Sequence, residues 1–296
     1  AMRNTIARKT IRKIMALFIL CVCATFILSG CKNAVPIKDE NKVVSGTEID
    51  STKEEETVEE ETIENETIME ASAYSRLSNG DVIDWSDCGY TVQNDEMEYM
   101  SEYGLFASRT KKAIVYKNET TGEIQVSISD DSGDTWRETT IDRKDDISWS
   151  CIGFTTDSNG WVVICSFVGM GNERHELYST KDGGTSWTKI DSNIDDIYGR
   201  VLSGSGFVDE NIGFLCFRYE DEEFSPAVCM TEDGGETWEK INISIPKEYE
   251  GQKATALSPA WHDKEFVLPV MFEKDGQQEI IKFVKNGRKF ELKKDA

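Results

Sequence analysis

Apolar residues recur at every second position in several short runs of this chain, and the same kind of polar turn interrupts each run. Ile124, Val126 and Ile128 alternate with polar neighbours before Ser129-Asp130-Asp131-Ser132-Gly133-Asp134-Thr135-Trp136. Leu177 precedes Thr180-Lys181-Asp182-Gly183-Gly184-Thr185-Ser186-Trp187, and Val228 and Met230 precede Thr231-Glu232-Asp233-Gly234-Gly235-Glu236-Thr237-Trp238. Beyond the turns stand Ile141, Ile190 and the alternating Ile241, Ile243 and Ile245. Alternation with a period of two predicts half-buried strands, and the polar interruptions predict the hairpins that join them. The expected fold class is all-β.

The three interruptions are one motif, Ser/Thr-x-Asp-x-Gly-x-Thr/Ser-Trp. Its aspartates lie at 131, 182 and 233, a period of 51 residues both times. A fixed period of this size predicts one supersecondary unit stacked several times. Each position has a structural duty. The hydroxyls of Ser129, Thr180 and Thr231 cap turn amides, and Asp131, Asp182 and Asp233 bond the backbone that follows them. Gly133, Gly184 and Gly235 allow positive φ without a Cβ clash. Trp136, Trp187 and Trp238 plug the space beneath the turn.

The octapeptide resembles the Asp box, or BNR repeat. The resemblance implies a β-propeller with the box between the third and fourth strands of a blade. It also implies that the boxes are structural and lie on the rim, away from the ligand face. More of the unit repeats than the box: Ile152-Gly153-Phe154 with Asp157 to Val163 is similar to Gly206 to Phe214, and Cys165 and Cys216 are also 51 apart. In repeat style this is similar to the Ycf48-like photosystem assembly factors. Units are expected over 88–143, 144–194, 195–245 and 254–292, with degenerate ends. Trp85 stands 51 before Trp136, but Gly80 replaces the Asp; Gly287 and Phe290 persist, but Lys285 replaces the Asp. Residues 74–87 are expected to add a strand to the last blade. The prediction is a β-propeller of four or five four-stranded blades with Asp-box turns.

The segment before the repeats is of another kind. Arg3, Arg8, Lys9, Arg12 and Lys13 are followed by an apolar run from Ile14 to Leu28 and then Ser29-Gly30-Cys31, the order of a secretory signal. The run is short for a bilayer, which needs about 20 residues. Leu28-Ser29-Gly30-Cys31 resembles a bacterial lipobox. The resemblance implies cleavage before Cys31, diacylglycerol on its sulfur and a fatty acyl group such as palmitate on the new amino group. Residues 1–30 are therefore expected to be a signal peptide, 31–73 a lipidated, disordered acidic tether and 74–296 the propeller. The tether expectation rests on a five-residue Glu-Thr repeat around Glu56 to Glu70, whose high charge and few aromatics fit disorder.

Charge narrows the partners. The formal net charge is −22; setting aside the basic start (+5) and residues 32–73 (−9) leaves the repeat region at −18. Such a surface repels nucleic-acid phosphates, and nucleic-acid binding is excluded. Neither cofactor nor metal is expected: there is no CxxC, no His cluster and no paired-ligand spacing. Asp142 to Asp146 and Asp195-Asp196 read as solvated turns, and Gly169-Met170-Gly171 as a flexible loop. Among Cys88, Cys151, Cys165, Cys216 and Cys229, the pair Cys216 and Cys229 is the one placed to face across neighbouring strands.

No catalytic residue is assigned. The sialidases that share the Asp box need three arginines to clamp a carboxylate and a Tyr–Glu nucleophile. Arg200 and Arg218, with Tyr198 and Tyr219 beside them, are the candidates to face the axis. Trp261-His262-Asp263 is expected in a rim loop. The expected function is an extracytoplasmic lipoprotein held to the bilayer through Cys31, whose propeller binds a protein or glycan without catalysis. A glycoside hydrolase and a structural surface protein with no specific ligand are the alternatives.

Overall fold

A computed structural model describes residues 66–68, 70–77, 81–85, 90–92, 104–118, 120–143, 146–218 and 225–293. Five antiparallel sheets follow one another along them, each a meander of sequential strands. The first holds β1 (Tyr74–Arg76), β2 (Val82–Asp84) and β3 (Tyr90–Val92). The second holds β4 (Gly104–Ala107), β5 (Lys112–Lys117), β6 (Ile124–Ser129) and β7 (Arg137–Ile141). The third holds β8 (Trp149–Phe154), β9 (Gly160–Gly169), β10 (Asn172–Thr180) and β11 (Thr188–Lys189). A four-residue helix, α1 (Ile194–Ile197), leads to the fourth: β12 (Leu202–Phe207), β13 (Gly213–Phe217), β14 (Ala227–Thr231) and β15 (Glu239–Ile241). The fifth holds β16 (Lys253–Ala256), β17 (Ala260–His262), β18 (Glu265–Lys274), β19 (Gln277–Asn286) and β20 (Lys289–Leu292), with β16 and β17 both paired to β18.

This is a β-propeller built mainly of four-stranded blades. In the four later blades burial falls from the first strand to the last. Every residue of β8 and β12 is buried, whereas both residues of β11 are exposed and β15 is mostly so. That gradient identifies the first strands as the inner ones, and they touch: β4 meets β8, β8 meets β12, and β1 meets both β12 and β4.

Four apolar cores fill the seams between consecutive blades. Phe106, Val126 and Ile128 meet Ile152, Phe154 and Tyr178 at one seam. Trp149, Cys165 and Leu177 meet Leu215, Phe217 and Trp238 at the next. Phe214, Val228 and Met230 meet Phe266, Leu268 and Phe283 at the third. At the fourth, Ala73, Leu77, Ile83 and Trp85 meet Leu257, Val267 and Met271. The three sheets of β8–β11, β12–β15 and β16–β20 thus bury both faces against neighbours, which removes the open faces that an isolated sheet would expose.

Several expectations are corrected here. Residues 74–87 do not add a strand to the last blade; β1 and β2 belong to a separate three-stranded sheet that packs against it. Trp85 follows β2, is 1% exposed, and its Nε1 donates to Ser258 O. At the other end, the degenerate box around Lys285 is a tight hairpin in which Asn286 pairs with Lys289 and Phe290 turns into the core. Backbone pairing begins before residue 74: Ile68 N donates to Thr155 O at 2.7 Å and Ser72 N to Ala107 O at 2.7 Å. Trp261 and His262 form β17 rather than a rim loop, and Trp261 packs on Phe266.

Cys216 and Cys229 do not face each other. Cys216 pairs with Val228 and Cys229 with Leu215, one register step apart, so their side chains lie on opposite sheet faces and in different cores. Cys151, Cys165, Cys216 and Cys229 are all free and buried. Cys31, Cys88, Gly80, Tyr219 and the Glu-Thr repeat before residue 66 lie outside the described residues.

Candidate functional site

The three boxes repeat one hydrogen-bond pattern. Ser129 Oγ donates to Asp131 Oδ1 at 2.8 Å and accepts Gly133 N–H at 2.7 Å. Asp131 accepts Thr135 N–H at 2.8 Å and its hydroxyl at 2.6 Å. Thr180, Asp182, Gly184 and Ser186 do the same, as do Thr231, Asp233, Gly235 and Thr237. The fourth residue of each box ties the outer turn to the inner turn of its blade: Ser132, Gly183 and Gly234 donate to the carbonyls of Thr110, Ser158 and Asn211 at 2.7, 2.8 and 2.9 Å. Trp136 and Trp238 donate Nε1–H to Gly133 O and Gly235 O, both at 2.9 Å, Trp238 also to Ser192 Oγ at 3.0 Å, and Trp187 reaches Thr139 Oγ1 in the preceding blade.

These bonds favour ionised carboxylates. The Thr135 hydroxyl and amide, then the Ser129 hydroxyl, pull Asp131 down to about 2. The Ser186 hydroxyl and amide, then Thr180, pull Asp182 down to about 2. For Asp233 burial works against the charge, but Thr237 and Thr231 outweigh it and the pKa is lowered. All three acids are engaged within their own turns, so the boxes hold shape.

Between the inner strands lies a partly open cavity of about 50 Å³ whose walls include Phe106, Trp149, Trp161, Phe207 and Trp261, room for a water or two rather than an organic ligand. A wider groove of about 290 Å³ lies on the box side, between the blades of β8–β11 and β12–β15, lined by Trp161, Tyr178, Lys181, Asp209, Asn211 and Asp233.

The opposite ends of the blades carry the unusual features. Strands β9 and β10 form the hairpin whose tip is Phe167-Val168-Gly169-Met170-Gly171. Phe167 is 66% exposed, Val168 63% and Met170 95%. Gly169, Met170 and Gly171 all have positive φ, which makes the reversal tight and leaves the Met170 side chain outside.

At the base of the same hairpin lies a buried polar cluster. Cys165 pairs with His175 across the two strands, so their side chains rise from one face; Glu173, two residues before His175, shares it. Arg76 from β1 donates Nη2 to both Glu173 oxygens, at 2.8 and 2.7 Å, and lies over the Trp149 ring at 4.8 Å. Ser148 Oγ and Leu202 N–H add bonds of 2.8 and 3.0 Å to the same carboxylate. Asp195, from α1, accepts His175 N–H at 3.0 Å and lies 2.8 Å from His175 Nδ1. Burial, and then the Glu173 charge, push the Cys165 thiol well above its ordinary range, with Arg76 opposing them.

No protein-family model and no curated protein matches the sequence. Solved structures do. YCF48 bound to a D1 peptide is 12% identical with a TM-score of 0.33, over 62% of this chain and 77% of that one. The GH74 enzyme of Niastella koreensis is 12% identical with a TM-score of 0.38, over 75% of this chain and 37% of that one. The NanB sialidase of Streptococcus pneumoniae is 12% identical with a TM-score of 0.37, over 75% and 39%. The chain thus spans about two fifths of the length of either enzyme.

Arg200 is exposed and bridges Asn172, and Arg218 donates its N–H to Val201 O, which puts the two at neighbouring positions. Tyr198 is buried against Phe217 with Lys240 over its ring. Arg76, the guanidinium that reaches three sheets, is neutralised by Glu173. Asp195, read from sequence as part of a solvated turn, is the partner of His175 instead. The signal for the cluster was present in the sequence: Cys165 and His175 are equidistant from Met170, and a reversal there makes them neighbours.

Proposed function

We infer that this protein is a binding module whose propeller engages a protein partner through the tip of the β9–β10 hairpin. The observation that carries the reading is the exposure of Phe167, Val168 and Met170 on one tight turn. Three large apolar side chains held in water without a packing partner mark an interaction site when they are contiguous. Met and Phe are also the residue types that adapt to and anchor interfaces. The cavity between the inner strands fits the same reading, because at about 50 Å³ it is far smaller than a small-molecule ligand needs.

The lipobox-like sequence at Cys31 supports a second part of the proposal, attachment to the bilayer through an acylated cysteine on the extracytoplasmic side. Among the described residues no helix is long and apolar enough to cross a membrane. The glycosidase alternative draws no support from Arg76 and Tyr198, which are committed to Glu173 and Phe217.

The test places a photo-crosslinking residue at Met170 on cells and compares the adduct with that from Arg288, a position at the box-side rim. One adduct specific to Met170, lost on Phe167→Ser, is the expected outcome. Adducts that are equal from both positions, or none, remove the hairpin from the reading. For the anchor, Cys31→Ala should release the protein from the membrane fraction; unchanged retention contradicts attachment there.

A further inference from the structure

We propose that Cys165, Glu173 and His175 form a binding site for a thiophilic divalent cation of the zinc type, at the base of the β9–β10 hairpin. The Cys165 sulfur, a Glu173 oxygen and a His175 ring nitrogen all lie within 4.8 Å of one another, and all three residues are buried. Zinc takes such a mixed S/N/O set at about 2.0–2.3 Å per ligand, so closing the triangle needs shifts of no more than about an ångström for each group.

Three independent features favour a cation here. The first is the imidazole. A carboxylate only accepts hydrogen bonds, so the ring nitrogen beside Asp195 carries the proton, and Nε2 presents its lone pair in the neutral ring. That Nε2 is buried, has no hydrogen-bond partner, and faces Glu173 Oε2 at 4.0 Å. A buried acceptor without a donor is costly, and a metal ion satisfies it. The Asp195–His175 pair is also the arrangement that orients metal-bound histidines and raises their basicity.

The second feature is the carboxylate. Glu173 accepts four hydrogen bonds, two from Arg76 and one each from Ser148 and the Leu202 amide, which fix the carboxylate beside His175. A cation binds there by displacing one of them. The third is charge. Two carboxylates, Glu173 and Asp195, face a single guanidinium, Arg76, an excess of acid that a cation offsets. The hydrophobic walls, Trp149, Tyr198, Phe217 and Leu202, make that balance matter, because unscreened charge is expensive among them.

The site links elements that the rest of the fold leaves separate. Its ligands come from both strands of the hairpin, its outer partner Asp195 from α1, and its counter-cation Arg76 from the N-terminal sheet. A metal here fixes the base of the hairpin whose tip is exposed.

The experiment uses the full chain, refolded under reducing conditions with cobalt(II) as the probe. The expected result is one ion per chain, giving a thiolate-to-cobalt charge-transfer band with the visible bands of a tetrahedral centre, and displacement by zinc. Cys165→Ser and His175→Gln should each abolish the band, while Cys216→Ser and Cys229→Ser keep it. Asp195→Asn alters a partly exposed side chain that leaves the core intact, and should weaken cobalt binding by about 10–100-fold. Wild-type protein that folds without producing the band, a band that survives Cys165→Ser, or an affinity unmoved by Asp195→Asn would overturn the site.

Discussion

Arg76 and Glu173, 97 residues apart in sequence, meet at 2.7 Å in a salt bridge whose side chains are 11% and 2% exposed. The pair joins the N-terminal sheet to the blade of β8–β11, and the Leu202 carbonyl, which also accepts from Arg76, adds the following blade. Removing one partner leaves the other buried and uncompensated. Arg76→Met should therefore cost about 3–5 kcal/mol of unfolding free energy. In urea denaturation, combining it with Glu173→Leu should cost less than the two single losses added together. A coupling below about 0.5 kcal/mol would show that the pair is not acting as one.

The box acids predict a pH dependence. Asp131 and Asp182 have folded pKa values of about 2, below the value of about 4 for an unfolded aspartate. A depressed pKa contributes stability that is present above the unfolded value and lost as pH falls through the folded one. Stability should thus drop between about pH 4 and pH 2. The double variant Asp131→Asn with Asp182→Asn should be less stable at pH 7 and flatter across that acid window. Denaturation curves with the same acid slope as wild type would refute the assignment.

Box glycines are under two constraints that can be separated. Gly184 has φ +89, and a Cβ there would sit 2.2 Å from Ile128 Cδ1 in the preceding blade. Gly122 has φ +73 with open space around it. Gly122→Ala measures backbone strain alone, about 1–2 kcal/mol. Gly184→Ala should cost clearly more, and Ile128→Val, which removes Cδ1, should recover part of the excess. Equal losses at the two glycines would mean the seam is loose.

The hairpin tip predicts a separation of stability from binding. Phe167→Ser and Met170→Ser remove exposed side chains and should change unfolding free energy by no more than about 0.5 kcal/mol. The same variants should lose the membrane-fraction partner in a quantitative pull-down against wild type. A destabilised variant would show that the tip packs against the fold, and a stable variant that keeps its partner would move the interface elsewhere.

What was legible in the sequence is what local chemistry determines. Asp131, Asp182 and Asp233 bond residues within four positions of themselves, so their role is visible in an octapeptide. The strand pattern is legible for the same reason, since alternation is a local property. The N-terminal sheet was hidden because its turn carries no box, and Trp85, at box spacing, fills a seam against Ser258 instead. Register hid the rest. Cys216 and Cys229 are plausible partners until a one-residue offset sends them to opposite faces, and Cys165 and His175 look unrelated until the reversal at Met170 pairs them. Arg76 and Glu173 had no signal at all, because their meeting depends on how separate blades are arranged.

Ring closure has a consequence in time. Ser258 N–H donates to Ser75 Oγ, and Trp85 Nε1–H to Ser258 O, contacts that span 183 and 173 residues. Pairings within each meander need only short loops, so the four later blades can assemble from neighbours, while the contacts of the N-terminal sheet with Ser258 form only once the last of them exists. Long-range closure of this kind slows folding because chain entropy is lost before the contacts repay it. β1, the first strand of the described residues, should be the last to acquire amide protection in pulsed hydrogen exchange.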